Sequence, residues 1–114
     1  MRLMISASIA LSAAAFAFVL ANAPARADEP SFELTLKDHK FSPELTIPAD
    51  TKVKITVKNL DATVAEFESD DFQAEKVVQP GGEVSFYIGP LKAGTYEFHD
   101  EYHEDESKTS LTVK

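Results

Sequence analysis

Beyond residue 28, apolar and polar residues alternate through most of the chain. Phe32, Leu34 and Leu36 are separated by Glu33 and Thr35, and Val53, Ile55 and Val57 by Lys54 and Thr56. Val84, Phe86 and Ile88 continue the pattern, followed by Tyr96 and Phe98 and finally by Leu111 and Val113. A period of two puts every second side chain on one face, which is the signature of a half-buried strand. The runs are punctuated by Ser42-Pro43, Pro48-Ala49-Asp50, Pro80-Gly81-Gly82 and Lys92-Ala93-Gly94, residue types that favour turns. No stretch sustains a helical period. Seven to eight short, closely spaced strands predict an all-β fold, a Greek-key antiparallel β-sandwich.

The first 27 residues break this pattern. Arg2 is followed by an apolar run from Ile5 to Leu20, and Ala25-Arg26-Ala27 supplies small residues before a cut, so residues 1–27 read as a secretory signal peptide. The run is short for a bilayer span, and acidic residues follow it, which argues against a retained membrane anchor. Residues 28–114 then form one exported domain expected in the periplasm, without membrane insertion.

Removal of residues 1–27 takes Arg2 and Arg26 and no acid, leaving nine basic residues against 19 acidic ones, a net charge of −10. Such a surface repels nucleic acid and attracts cations, although solubility alone would account for it. The chain has no cysteine. A thiolate-ligated metal and a disulfide are both excluded, so any metal site must use carboxylates and imidazoles, donors that suit iron, manganese, zinc or Cu(II). No nucleophile–base pair stands out, and a domain this small leaves little room for a substrate cleft.

Three segments offer metal-binding chemistry. If Tyr96 and Phe98 face the core, Asp100 faces inward at the end of their strand, while Glu97 and His99 face outward. A buried carboxylate demands a partner, whether a metal, a histidine or backbone amides. His103 follows in the acidic loop Glu101–Glu106, where it is either a metal ligand or a solvated, salt-bridged histidine. Glu66 and Glu68 flank Phe67 and share a face; they are ligand candidates or a solvated pair on an edge strand. His39, in Asp38-His39-Lys40-Phe41-Ser42-Pro43, is a ligand or a turn histidine.

These segments, together with Ile88-Gly89-Pro90-Leu91 and Gly94-Thr95-Tyr96, resemble the small periplasmic cupredoxin-like proteins of bacterial ferrous-iron permease systems. The likeness is to the FtrB type and, more distantly, to the amino-terminal cupredoxin domain of EfeO, and it covers nearly the whole of residues 28–114. It implies a cupredoxin-like sandwich in which Asp100 takes the place of the usual cysteine ligand, His103 keeps the imidazole three residues later, and Glu66 takes the place of the first histidine. It further implies iron and/or copper as the metal, and an inner-membrane iron permease with periplasmic companion proteins as partners.

The expected function is therefore metal binding in ferrous-iron uptake through Glu66, Asp100 and His103, with His39 and Glu68 as further candidates. Iron and Cu(II) lead, and Mn(II) and Zn(II) also suit the donors. Any ferrous oxidation would be metal-dependent and completed by a partner. The alternative is a metal-free sandwich that docks a periplasmic or membrane partner through its acidic end.

Overall fold

The structure is a computed structural model that describes residues 29–114; the expected signal peptide lies outside the described residues. Among the described residues, nine strands make two packed sheets. The first sheet contains β1 (Ser31–Lys37), β2 (Lys40–Ser42), β4 (Val53–Asn59) and β7 (Glu83–Ile88), in the order β2-β1-β4-β7. The second contains β3 (Thr46–Ile47), β5 (Ala65–Ser69), β6 (Ala74–Val78), β8 (Gly94–Asp100) and β9 (Thr109–Val113), in the order β3-β9-β8-β5-β6. Between β8 and β9 run a 3-10 turn, Glu101–His103, and one helical turn, α1 (Glu104–Ser107).

The alternation seen in the sequence is the burial pattern of the fold. Leu34, Ile55, Val57 and Phe86 of the first sheet meet Phe67, Val78, Phe98, Leu111 and Val113 of the second, and all are buried in one core. Phe67 lies at its centre, 5.1 Å between ring centroids from both Phe86 and Phe98. Phe41 closes over Phe67 and Phe98 edge-on, at 5.8 and 5.2 Å. Edge-to-face and offset contacts of this kind suit aromatic quadrupoles and add to the burial of their area.

The sandwich is as expected, but it has nine strands rather than seven to eight and two of its pairings are parallel. β1 runs parallel to β4, with Leu36 opposite Asn59, and β3 runs parallel to β9. Alternation fixes which face a residue takes and says nothing about strand direction. The parallel pair determines where the chemistry lies: β1 and β4 finish at the same end of the sandwich, so the turn after β1 meets the loop after β4. There the inward rows turn polar, Val53-Ile55-Val57 ending in buried Asn59 and Phe98 followed by buried Asp100.

Leu34 is 1% exposed within this core. Leu34→Ala should destabilise the fold by about 2–5 kcal/mol through lost transfer energy and an unfilled cavity, whether or not metal is present. Chemical denaturation of both proteins with and without a chelator measures the difference.

Candidate metal centre

Asp100 closes β8 with its side chain aimed inward and is 1% exposed. Its carboxylate makes three contacts. Oδ1 accepts from the amide of Glu66 on β5 at 2.9 Å and from the amide of Tyr102 at 3.1 Å, and Oδ2 lies 3.1 Å from Nδ1 of His103. The first two satisfy the expectation of a capping carboxylate, and the third ties the cap to the imidazole. Ser107 locks the backbone of the same residue: its Oγ accepts from the Asp100 amide at 2.7 Å and is 3.3 Å from the Asp100 carbonyl. Buried and fully engaged, Ser107 thereby holds the loop from 101 to 107 folded back against the strand.

His39 arrives from the other sheet. Asp38 and His39 form the two-residue turn between β1 and β2, and both have left-handed backbones, φ 51° and 61°. Such hairpins usually use Asn or Gly at these positions, since a Cβ costs energy at positive φ. Asp61, in the loop after β4, compensates. Its two carboxylate oxygens accept the consecutive amides of Asp38 and His39 at 2.7 and 3.0 Å, and Oδ2 is also 3.5 Å from Nδ1 of His39. Asp61 is itself held by Asn59, whose Oδ1 accepts the Asp61 amide and whose Nδ2 donates to the carbonyls of Thr63 and Val78. Burial works to raise the Asp61 pKa, but the His39 and Asp38 amides, with the nearby His39 and His103 rings, hold it below the usual carboxylate value.

These elements bring His39, Asp100 and His103 together, with one possible ligand atom from each within 4.8 Å of the others. The two imidazoles stack, with centroids 3.7 Å apart and planes 18° from parallel. Nδ1 of His39 is buried and has no hydrogen-bond partner. An orphaned imidazole nitrogen beside a second imidazole and a carboxylate fits a transition-metal centre in donor type and spacing. It does not yet fit in orientation. An imidazole binds a metal in its own ring plane at about 2.0–2.1 Å, and nearly parallel stacked planes share no such point. One ring must turn out of the stack to coordinate. The side chains of His39 and His103, 28% and 27% exposed, are not enclosed against such a turn.

The remaining candidates separate from this group. Phe67 is in the core, so Glu66 and Glu68 lie on the outer side of the second sheet. Glu66 meets Asp100 through its backbone amide, and its carboxylate belongs to neither possible ligand group among the described residues. Glu68 belongs to the second such group, with His99 and Glu101. His99, expected at the surface, is 12% exposed at its side chain and lies 2.7 Å from Glu101 Oε2 and 3.9 Å from Glu68 Oε2. The hydrogen bond between the Glu68 and Glu101 side chains, then burial and their mutual repulsion, push Glu68 up to about 7, while the contact with His99 holds Glu101 below the usual value. Sequence reasoning did not find Asp61, Ser107, His99 or Glu101. Asn59-Leu60-Asp61 carries two turn-favouring Asx residues, but nothing local shows what they hold.

The sequence model of the family described as Cupredoxin-like domain matches residues 9–113. A Rickettsia prowazekii (strain Madrid E) protein, itself uncharacterized, is 38% identical over 82 residues, which is 71% of this chain and 66% of that protein's length. Auracyanin A, a "blue" copper protein from Chloroflexus aurantiacus, aligns over 74% of this chain and 98% of its own at 19% identity, with a TM-score of 0.64. The metal-binding domain of the Streptococcus pneumoniae D39 Cu(I)-exporting P-type ATPase CopA, solved with Cu(I), aligns over 74% and 84% at 15% identity, also with a TM-score of 0.64. At these identities the two structures share the fold alone.

Two predictions follow from the geometry. Asp61→Ala removes the acceptor of both left-handed amides; it should cost about 1.5–3 kcal/mol in chemical denaturation and weaken metal binding by about 10–100-fold in competition titrations. For Glu68, whose folded-state pKa is raised, protonation favours the fold. Its contribution is complete below the unfolded value near 4.5 and fades as pH rises through about 7. The metal-free protein should therefore gain melting temperature from pH 8 to pH 5 relative to Glu68→Gln, as thermal unfolding across that range would show.

Proposed function

Since the chain belongs to the cupredoxin-like domain family, we propose that it is a metal-binding protein of iron uptake that uses His39, Asp100 and His103 where a blue-copper protein uses a thiolate centre. The observation that carries this reading is the convergence of the three side chains at one end of the sandwich, with a buried His39 nitrogen that makes no hydrogen bond. Without cysteine the centre offers only nitrogen and oxygen donors. Such donors accept iron and Cu(II), and hard carboxylate oxygen favours Fe(III) over Fe(II), which eases ferrous oxidation.

The residues divide the work. Asp100 fixes the loop and offers Oδ2, already directed at His103. Asp61 holds the His39 turn in place. His103, half-exposed at the loop, is the side chain free to exchange its stacking and Asp100 contacts for a metal. In this reading the domain is exported to the periplasm, receives iron and/or copper, and passes iron to an inner-membrane permease with the help of companion proteins. Copper carried by auracyanin A and the CopA domain supports copper as an occupant; the resemblance to ferrous-iron permease components supports iron. No helix among the described residues is long and apolar enough to cross a membrane.

The test is thermal unfolding of the metal-stripped protein against increasing anaerobic Fe(II), with parallel Cu(II), Mn(II) and Zn(II) titrations. At free metal one hundred times the dissociation constant, native-state binding adds about 2.7 kcal/mol, several degrees for a domain of this size. His103→Ala should leave the metal-free melting temperature within a few degrees and lower the metal-induced rise relative to the parent. Equal rises in both proteins would remove His103 from the centre, and no rise with any metal would favour a metal-free docking module.

A further inference from the structure

β8 serves two faces of the second sheet. Asp100 points into the sandwich, while its neighbours His99 and Glu101 meet on the outer side, where β5 sets Glu68 directly opposite His99 in the strand register. We propose that Glu68, His99 and Glu101 form a second divalent-cation site on the outer face of the five-stranded sheet, separate from the His39–Asp100–His103 centre.

The placement is built into paired backbone rather than gathered from loops. Glu68 and His99 are held by the β5–β8 ladder, and Glu101 immediately follows β8. One possible ligand atom from each side chain lies within 4.8 Å of the others. The His99 imidazole is packed onto the sheet at 12% exposure, Glu68 is 25% exposed and Glu101 44%, so the group is anchored on one side and open to solvent on the other. That is the arrangement for three protein ligands with further positions left to water.

The charges point the same way. Two carboxylates stand side by side, and the field of Glu66 also falls on Glu68. Among the described residues, the lysine ion pairs are Lys52–Glu29 and Lys58–Glu33, and neither involves Glu68 or Glu101. The imidazole is, among the described residues, the only nitrogen partner of the pair within salt-bridge distance. A divalent cation between the carboxylates would displace the proton they share and replace that hydrogen bond by attraction of both groups to a common centre. One imidazole nitrogen with two carboxylate oxygens selects first-row cations such as Zn(II), Mn(II) or Cu(II) over the all-oxygen preference of Ca(II) and Mg(II). This inference does not depend on the function proposed for the inner centre.

Equilibrium dialysis with Zn(II), combined with the ring resonances of the three histidines by NMR, tests it. The parent protein should bind two Zn(II) ions. His103→Ala should keep one, with the His99 ring signals still shifting on loading. Adding Glu68→Gln to His103→Ala should weaken that remaining ion by about tenfold or more, and Glu101→Gln should do the same. Both replacements preserve side-chain size on the outer face, and circular dichroism confirms that each variant is folded. If His103→Ala binds no Zn(II), or if neither glutamine replacement alters the ion it retains, the outer site is overturned. A parent that binds a single ion lost in Glu68→Gln and kept in His103→Ala would uphold the outer site and overturn the inner one.

Discussion

The buried carboxylate of Asp100 is the constraint on which the candidate metal-binding end of this molecule depends. A carboxylate in an apolar interior must be compensated, and here the compensation comes from three directions: the β5 amide of Glu66, the loop amide of Tyr102 and the ring of His103. Each partner is thereby fixed relative to β8. The one residue ends a strand, starts the 3-10 turn and sets the position of an imidazole, so its structural and chemical roles cannot be separated by removing it. His103, whose side chain is 27% exposed, can be removed while both amides on Asp100 stay in place, so it reports on the chemistry at the least cost to the fold.

The other imidazole depends on a different carboxylate from a different sheet. His39 sits in a turn whose backbone is unfavourable for non-glycine residues, and Asp61 stabilises that turn by accepting both of its amides. The parallel pairing of β1 with β4 makes this possible, because only then do the β1 turn and the β4 loop share an end of the sandwich. The result is a pair of stacked rings already within reach of a common ion but not yet oriented toward one. Distance is set by the scaffold; orientation is left to a side-chain rotation.

Much of this was legible in the sequence, for a physical reason. Period-two alternation reports burial directly, so the half-buried strands followed from it, as did the inward aim of Asp100 once Tyr96 and Phe98 are taken to face the core. The same rule put Glu66 and Glu68 on the opposite face, and the structure keeps them there. What alternation does not encode is strand direction or cross-strand register. For that reason the partnership of Asp61 with His39 and the meeting of Glu68 with His99 were out of reach. His99 was expected to be solvated because it faces outward, yet an outward residue in a central strand still packs against its neighbours, and two of those neighbours are glutamates.

A cupredoxin-like sandwich without cysteine can hold a metal only through nitrogen and oxygen donors, and this one gathers two imidazoles and a carboxylate at one end. The central claim is that both imidazoles bind one ion. X-ray absorption of the Glu68→Gln protein, whose outer group is weakened, loaded with a single equivalent of Cu(II) and read for the number of coordinated imidazoles, tests it most directly. Two imidazoles with oxygen ligands completing the shell are expected, since His39 and His103 are the pair that the scaffold brings together. A shell with one imidazole, or none, would contradict the account.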